Sequence, residues 1–75
     1  MKVDKVLDAK GLACPMPIVK TKKAIDGLEA GQILEVLATD KGAKNDLNAW
    51  AASTGHELVE TKEENDVLYF YIKKG

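Results

Sequence analysis

The 75-residue sequence predicts an α+β two-layer sandwich in the order β-α-β-α-β-β, a four-stranded mixed sheet with two helices packed on one face. Three observations carry this. Two aliphatic segments each precede a stretch with helical apolar spacing, the pattern of strand, crossover helix and strand. The chain then closes on two alternating segments parted by polar turn residues, which read as a hairpin. Its length suits one domain over residues 1–75, near the lower limit at which a core forms without disulfides or metal.

The first strand is expected from Val3 to Asp8, carried by Val3, Val6 and Leu7 and broken at Lys10-Gly11. Proline is tolerated only in the first turn of a helix, so Pro15 and Pro17 mark the start of the first helix, with Cys14 as N-cap, Pro15 at N1 and Pro17 at N3. That helix carries Ile18, Ile25 and Leu28 toward one side and Lys20 and Lys23 toward the other, ending between Gly27 and Gly31. Ile33 to Thr39 is the second strand, and Asp40 can cap the second helix. Ala43, Leu47, Trp50 and Ala51 fall at i, i+4, i+7 and i+8, which makes that helix amphipathic, with Trp50 in the core and Gly55 at C′. The hairpin pairs the segment from His56 to Thr61 with that from Val67 to Lys73 around Glu63-Glu64-Asn65-Asp66. Leu68, Phe70 and Ile72 then face the helices, while Tyr69 and Tyr71 line the uncovered side, which must be polar or meet a partner.

Composition narrows the function. A net charge of -1 and the lack of any arginine argue against direct nucleic-acid binding or attraction to acidic membranes. One cysteine and one histidine cannot build a structural zinc site or an internal disulfide. No apolar run approaches the roughly 18 residues of a membrane span, and the first residues carry no apolar signal region. The expected setting is a reducing cytoplasm, and the expected state a monomer without cofactor or metal.

Cys14 is the candidate reactive group. A buried structural cysteine has no need of a flanking Pro-x-Pro or a helix start, and a helix N-terminus can lower a thiol pKa from about 8.5 into a range of about 3.5 to 7.5. At pH 7 a shift to about 6.5 raises the thiolate from roughly 3% to roughly 75%. Pro15 and Pro17 act as positioning devices, since they set the turn but remove two N–H donors and leave mainly the Met16 amide to face the sulfur. Lys20, Lys22 and Lys23 cluster on the first helix with Lys10 before it, a basic rim for acidic partners weighed against an ordinary solvated helix face. Met16 is expected to be exposed and joins Lys20 and Lys23 as the candidate docking residues. His56 pairs with Cys14 only if the fold brings the two together. Asp40-Lys41-Gly42 reads as a helix cap, having one glycine and no P-loop pattern.

Gly11-Leu12-Ala13-Cys14-Pro15-Met16-Pro17 resembles the Cys-Pro-x-Pro signature of the TusA family of small sulfur-carrier proteins, also called SirA-like. The resemblance extends to Asp8, Thr39-Asp40, Trp50 and Gly55-His56-Glu57-Leu58, and departs at Lys41, where many members carry proline. It implies a fold like that of the C-terminal domain of a bacterial translation initiation factor. It also implies that Cys14 accepts sulfane sulfur as a persulfide from a cysteine desulfurase or another sulfurtransferase and relays it to an acceptor protein. Downstream uses in related members include tRNA thiolation, molybdenum-cofactor assembly and sulfur oxidation. Such a protein is a stoichiometric carrier more than a turnover enzyme. The competing expectation is a redox-sensing or regulatory interaction module, including a cytosolic partner of a sulfur-compound transporter.

Overall fold

Alternation and helical period place the elements close to where the sequence predicts them. The computed structural model describes residues 2–13 and 15–75. The chain folds as β1 (Lys5–Ala9), α1 (Met16–Asp26), β2 (Ile33–Ala38), α2 (Ala43–Thr54), β3 (Glu57–Glu64) and β4 (Val67–Lys73). The sheet order is β1-β2-β4-β3, with β1 parallel to β2 and β4 antiparallel to both its neighbours. β1, β2 and β3 therefore point the same way, and α1 and α2 each return the chain from the carboxyl end of one strand to the amino end of the next.

The core forms where one sheet face meets both helices. Register aligns Leu34 with Ile72 and Val36 with Phe70, and the helices lay Ile25 and Leu47 on that surface, all six at most 1% exposed. Burying each such side chain contributes about 1.5–3 kcal/mol. In α1 the buried residues are Pro17, Thr21, Ala24 and Ile25, at i, i+4, i+7 and i+8. Thr21, the one buried polar residue described, donates its hydroxyl to the Pro17 carbonyl at 2.7 Å, which removes the cost of burying it. The far end of α1 is closed from a distance. Lys74 Nζ donates to Leu28 O at 2.6 Å and to Asp26 O at 3.5 Å, placing a cation on the carbonyl end of the helix dipole.

The structure departs from expectation at several points. β1 starts at Lys5, because Asp4 pairs outside the ladder: its N–H donates to Ile33 O at 2.9 Å and its carboxylate accepts Ile33 N–H at 2.8 Å. β3 runs on to Glu64, because Asn65 and Asp66 alone make the turn, with φ of 52° and 65°. Positive φ at both positions gives the primed two-residue turn that matches strand twist, so Glu63 and Glu64 stay paired with Leu68 and Val67. Asp40 serves the turn before α2, where its carboxylate accepts Gly42 N–H at 3.1 Å, and Gly42 is the N-cap. Trp50 is half-buried, packed on the edge of the core with its ring 5.3 Å from that of His56.

Tyr69 and Tyr71 lie on the sheet face away from the helices, as the alternation requires. Lys62 from β3 sits over both rings, 5.5 and 5.7 Å from their centroids. Tyr71 is itself buried, at 7% exposure, and its hydrogen bond to the Glu35 carboxylate pushes its pKa above 10.0, helped by burial and opposed by Lys62. Tyr71 is thus covered by its own neighbours on a face that still leaves Val6 of β1 57% exposed.

A tyrosine whose folded pKa is raised stabilises the fold below the unfolded pKa of about 10 and loses that contribution as pH rises through the folded value. Denaturant titrations from pH 8 to 12 should therefore show stability falling above pH 10, with a smaller fall in Tyr71→Phe. At the hairpin, Asp66→Gly removes the side chain from a positive-φ position and should raise stability by about 0.5–1 kcal/mol, a melting-point gain of about 2–8 °C by calorimetry.

Candidate functional site

The predicted reactive residue, Cys14, lies outside the described residues; the segments on either side of it are described in detail. Ala9 ends β1 fully buried, and Pro17 is anchored in the core by the first turn of α1. Between these two fixed points the chain makes a loop at the carboxyl edge of the sheet. Lys10 N–H donates to the Asp8 carboxylate at 3.0 Å, Leu12 N–H to Ala9 O at 3.3 Å, and Met16 N–H to Ala13 O at 2.9 Å. Gly11 has φ of 81°, a left-handed conformation that glycine adopts without strain. Its N–H reaches the Thr39 hydroxyl, 2.9 Å away at the end of β2.

The helix start is one residue later than the sequence predicts. Pro15 is the N-cap, Met16 is N1 and Pro17 is N2, because the Pro15 carbonyl accepts the first two helical N–H groups, those of Ile18 and Val19, each at 3.1 Å. The N-cap role expected of Cys14 therefore belongs to Pro15. The Met16 amide is also committed to Ala13 O, so it is not the free donor that the sequence suggests. What α1 offers its preceding loop is the positive end of its dipole, without an unpaired N–H from Met16, Ile18 or Val19. Met16 itself is 41% exposed, as expected for a surface thioether.

Topology separates His56 from this region. β3 runs parallel to β1, and His56 immediately precedes β3, so it lies at the amino edge of the sheet while the loop after Ala9 lies at the carboxyl edge. There His56 packs on Trp50 and its Nδ1 accepts the Gly75 N–H at 3.0 Å. A role beside the loop between Ala9 and Pro17 is ruled out by that placement.

Of the docking residues expected on α1, Lys20 and Lys23 are both exposed. Lys23 alone lines an apolar groove of about 590 Å³ between α1 and α2, with Ile18, Val19, Lys22, Asp26 and Trp50 among its walls. Val19 and Trp50 are groove residues that sequence reasoning misses, while Lys22 belongs to the lysine cluster on α1 that the sequence already offers as a basic rim. Val19 carries a signal in the sequence: with Lys22, Lys23 and Asp26 it recurs at helical spacing on one stripe, an aliphatic among lysines, and it is left 39% exposed. Trp50 carries none, because its position on the apolar stripe of α2 is equally that of a core residue. Among the described residues there is no cluster of three or more histidine, cysteine or acidic side chains able to hold a metal ion. Nor is any helix long and apolar enough to cross a membrane.

Known proteins share this architecture. Residues 5–74 match the family model described as sulfurtransferase TusA. YrkI of Bacillus subtilis (strain 168), named as a candidate sulfur carrier, is 72% identical over 75 residues, with both chains covered in full. The sulfur carrier protein TusA of Allochromatium vinosum is 49% identical over 71 residues, 95% of this chain and 93% of its own. Among solved structures, the SirA-like protein of Desulfitobacterium hafniense superposes with a TM-score of 0.84 at 33% identity, covering 95% of this chain and 97% of that one. With its strand order, its loop at the carboxyl edge of β1 and these relatives, the chain belongs to the TusA family of sulfur-carrier proteins.

Proposed function

We propose that the protein carries sulfane sulfur as a persulfide on Cys14, receiving it from one protein and delivering it to another. The observation that carries this reading is the conjunction of family membership with a single cysteine in the sequence: a carrier that holds sulfur on a thiol has one residue to use. The Cys14 thiolate attacks the terminal sulfur of a donor persulfide, a new S–S bond forms at Sγ, the donor S–S bond breaks, and the donor cysteine leaves as thiolate. The donor is thereby reduced to its thiol and Cys14 oxidised to the persulfide, so no external oxidant enters. Delivery to an acceptor repeats the step in the other direction. The lack of a second cysteine has chemical value, because a resolving thiol in the same chain would convert the cargo into a disulfide.

The surroundings favour this use. The positive end of α1 begins two residues after Cys14 in the chain, and that polarity favours thiolate over thiol. Pro15 as N-cap and buried Pro17 at N2 fix the helix start just past the thiol, in keeping with a positioning role. The donor is a cysteine desulfurase or another sulfurtransferase with an acidic docking surface, which meets Met16, Lys20 and Lys23, together with Lys22 and Val19 at the groove. tRNA thiolation and other sulfur-dependent syntheses are the downstream uses that such a relay would serve in a cytoplasmic setting.

Intact-mass analysis after incubation with a desulfurase and cysteine tests the central step. The wild-type chain should gain about 32 Da, one sulfur atom, and lose it on reduction, while Cys14→Ser should gain nothing. A Cys14→Ser variant that still gains this mass would falsify the assignment. Docking is tested by the charge-reversed pair Lys22→Glu and Lys23→Glu. Loading from a protein donor should slow about tenfold at low ionic strength, with the difference shrinking toward about 1 M salt, while loading from inorganic polysulfide stays unchanged.

A further inference from the structure

Ala9 and Pro17 are both buried and Leu12 between them packs half-buried against the core, while Lys10, Gly11, Ala13, Pro15 and Met16 are exposed. Three of the hydrogen bonds described within it are local. Lys10 N–H to Asp8, Leu12 N–H to Ala9 and Met16 N–H to Ala13 each span two or three residues and shape individual turns. Bonds of this kind set the shape of each turn without reaching another segment of the chain. The bond from Gly11 N–H to Thr39 Oγ1 differs in kind: it spans 28 residues and ties the loop to the segment joining β2 to α2.

Thr39 is itself exposed, one residue past the end of β2, and its hydroxyl is no part of the core. It also lines a cleft of about 240 Å³ with Lys41, Lys44, Glu63, Asp66 and Leu68. One side chain thus joins the loop that carries Cys14 to a wall of the neighbouring surface cleft. We propose that Thr39 is a positioning residue for sulfur transfer, holding Gly11 and through it the Cys14-bearing loop in the arrangement that donor and acceptor engage. This rests on the persulfide reading above. A surface hydrogen bond of this kind is worth about a factor of two to twelve in an equilibrium, enough to decide whether one loop arrangement dominates and too little to decide whether the domain folds.

The test uses three substitutions in the full chain. Thr39→Val keeps the β-branched shape and removes the hydroxyl, Thr39→Ser keeps the hydroxyl, and Thr39→Ala removes both. Melting points control for folding, and two readouts report position: the pH profile of Cys14 alkylation by iodoacetamide, and the initial rate of sulfur loading from a desulfurase with cysteine. In Thr39→Val the alkylation midpoint should move upward toward the free-thiol value of about 8.5 and protein-donor loading should fall about three- to tenfold, with loading from inorganic polysulfide changed less than about twofold. Thr39→Ser should return both readouts to within about twofold of wild type. Should valine lower the melting point markedly, the contrast between serine and alanine reads the hydroxyl in its place. A Thr39→Val protein indistinguishable from wild type, or a Thr39→Ser protein as impaired as Thr39→Val, overturns the inference. Failure of the wild type to gain sulfur at all sinks the persulfide reading instead, and the alkylation profiles still decide whether Thr39 positions the loop.

Discussion

The parallel pairing of β1 with β2 is the constraint on which the rest of the molecule depends. Two parallel strands cannot be joined by a tight turn, so the chain must leave the carboxyl end of β1, cross the sheet face and re-enter at the amino end of β2. That requirement creates both the helix and the exposed loop before it. The crossover needs an apolar face on α1 to cover Leu34 and Val36, which Ile25 and Ala24 supply, and it needs a start that commits the chain to helix as soon as it leaves the loop. Pro15 and Pro17 meet the second need, because a fixed φ and the absence of an N–H suit the first turn and no later one. The loop that bears the thiol is therefore a by-product of sheet topology, delivered beside Thr39 by the register of two neighbouring strands.

What was legible in the sequence was whatever repeats. Ala43, Leu47 and Ala51 on α2 and Leu68, Phe70 and Ile72 on β4 each present one face at a fixed period, and burial alone then assigns that face. Single contacts across the fold were not legible. Nothing local to Lys74 announces that its ammonium closes the carbonyl end of a helix 46 residues earlier, and nothing local to Asp4 announces its bond to Ile33. The start of α1 slipped by one residue for a related reason. Two prolines two apart fit either N1 and N3 or N-cap and N2 equally well, and the choice was made by which carbonyl accepts the first helical N–H groups. Trp50 packs against the core as its stripe position requires but only half-buried, because a position near the helix end covers the rim of the core, where a large ring meets solvent on one side. Of the candidate site, the cysteine, the prolines and part of the lysine surface could be read from the chain; the groove between the helices could not, since it belongs to two elements at once.

Charge at this end of the molecule is arranged by the helix and its lysines more than by donors aimed at the loop. The N–H groups of Met16, Ile18 and Val19 are all committed to Ala13 and Pro15, so the local field comes from the helix dipole and from lysines along α1. A field of this kind acts over several ångströms without needing contact. It favours thiolate and attracts acidic surfaces in the same stroke, and it asks for no tight polar bond that a departing sulfur would have to break. His56, at the other edge of the sheet, takes no part in this.

On the persulfide reading proposed above, the loop between Ala9 and Pro17 would have to fit a donor and an acceptor in turn. Burial would hold such a loop firmly but close it to partners, and a loop with no anchor would spend most of its time in unproductive arrangements, each partner bearing the ordering cost of about 1–2 kcal/mol per backbone residue. A small number of surface hydrogen bonds lies between these limits. Each contributes about 0.5–1.5 kcal/mol, so the loop between Ala9 and Pro17 can favour one arrangement and still yield when a partner's contacts exceed that amount. Packing holds the loop at Ala9 in the sheet, at Pro17 in the core and at half-buried Leu12 between them, and the bond from Gly11 to Thr39 is a surface tie added to these.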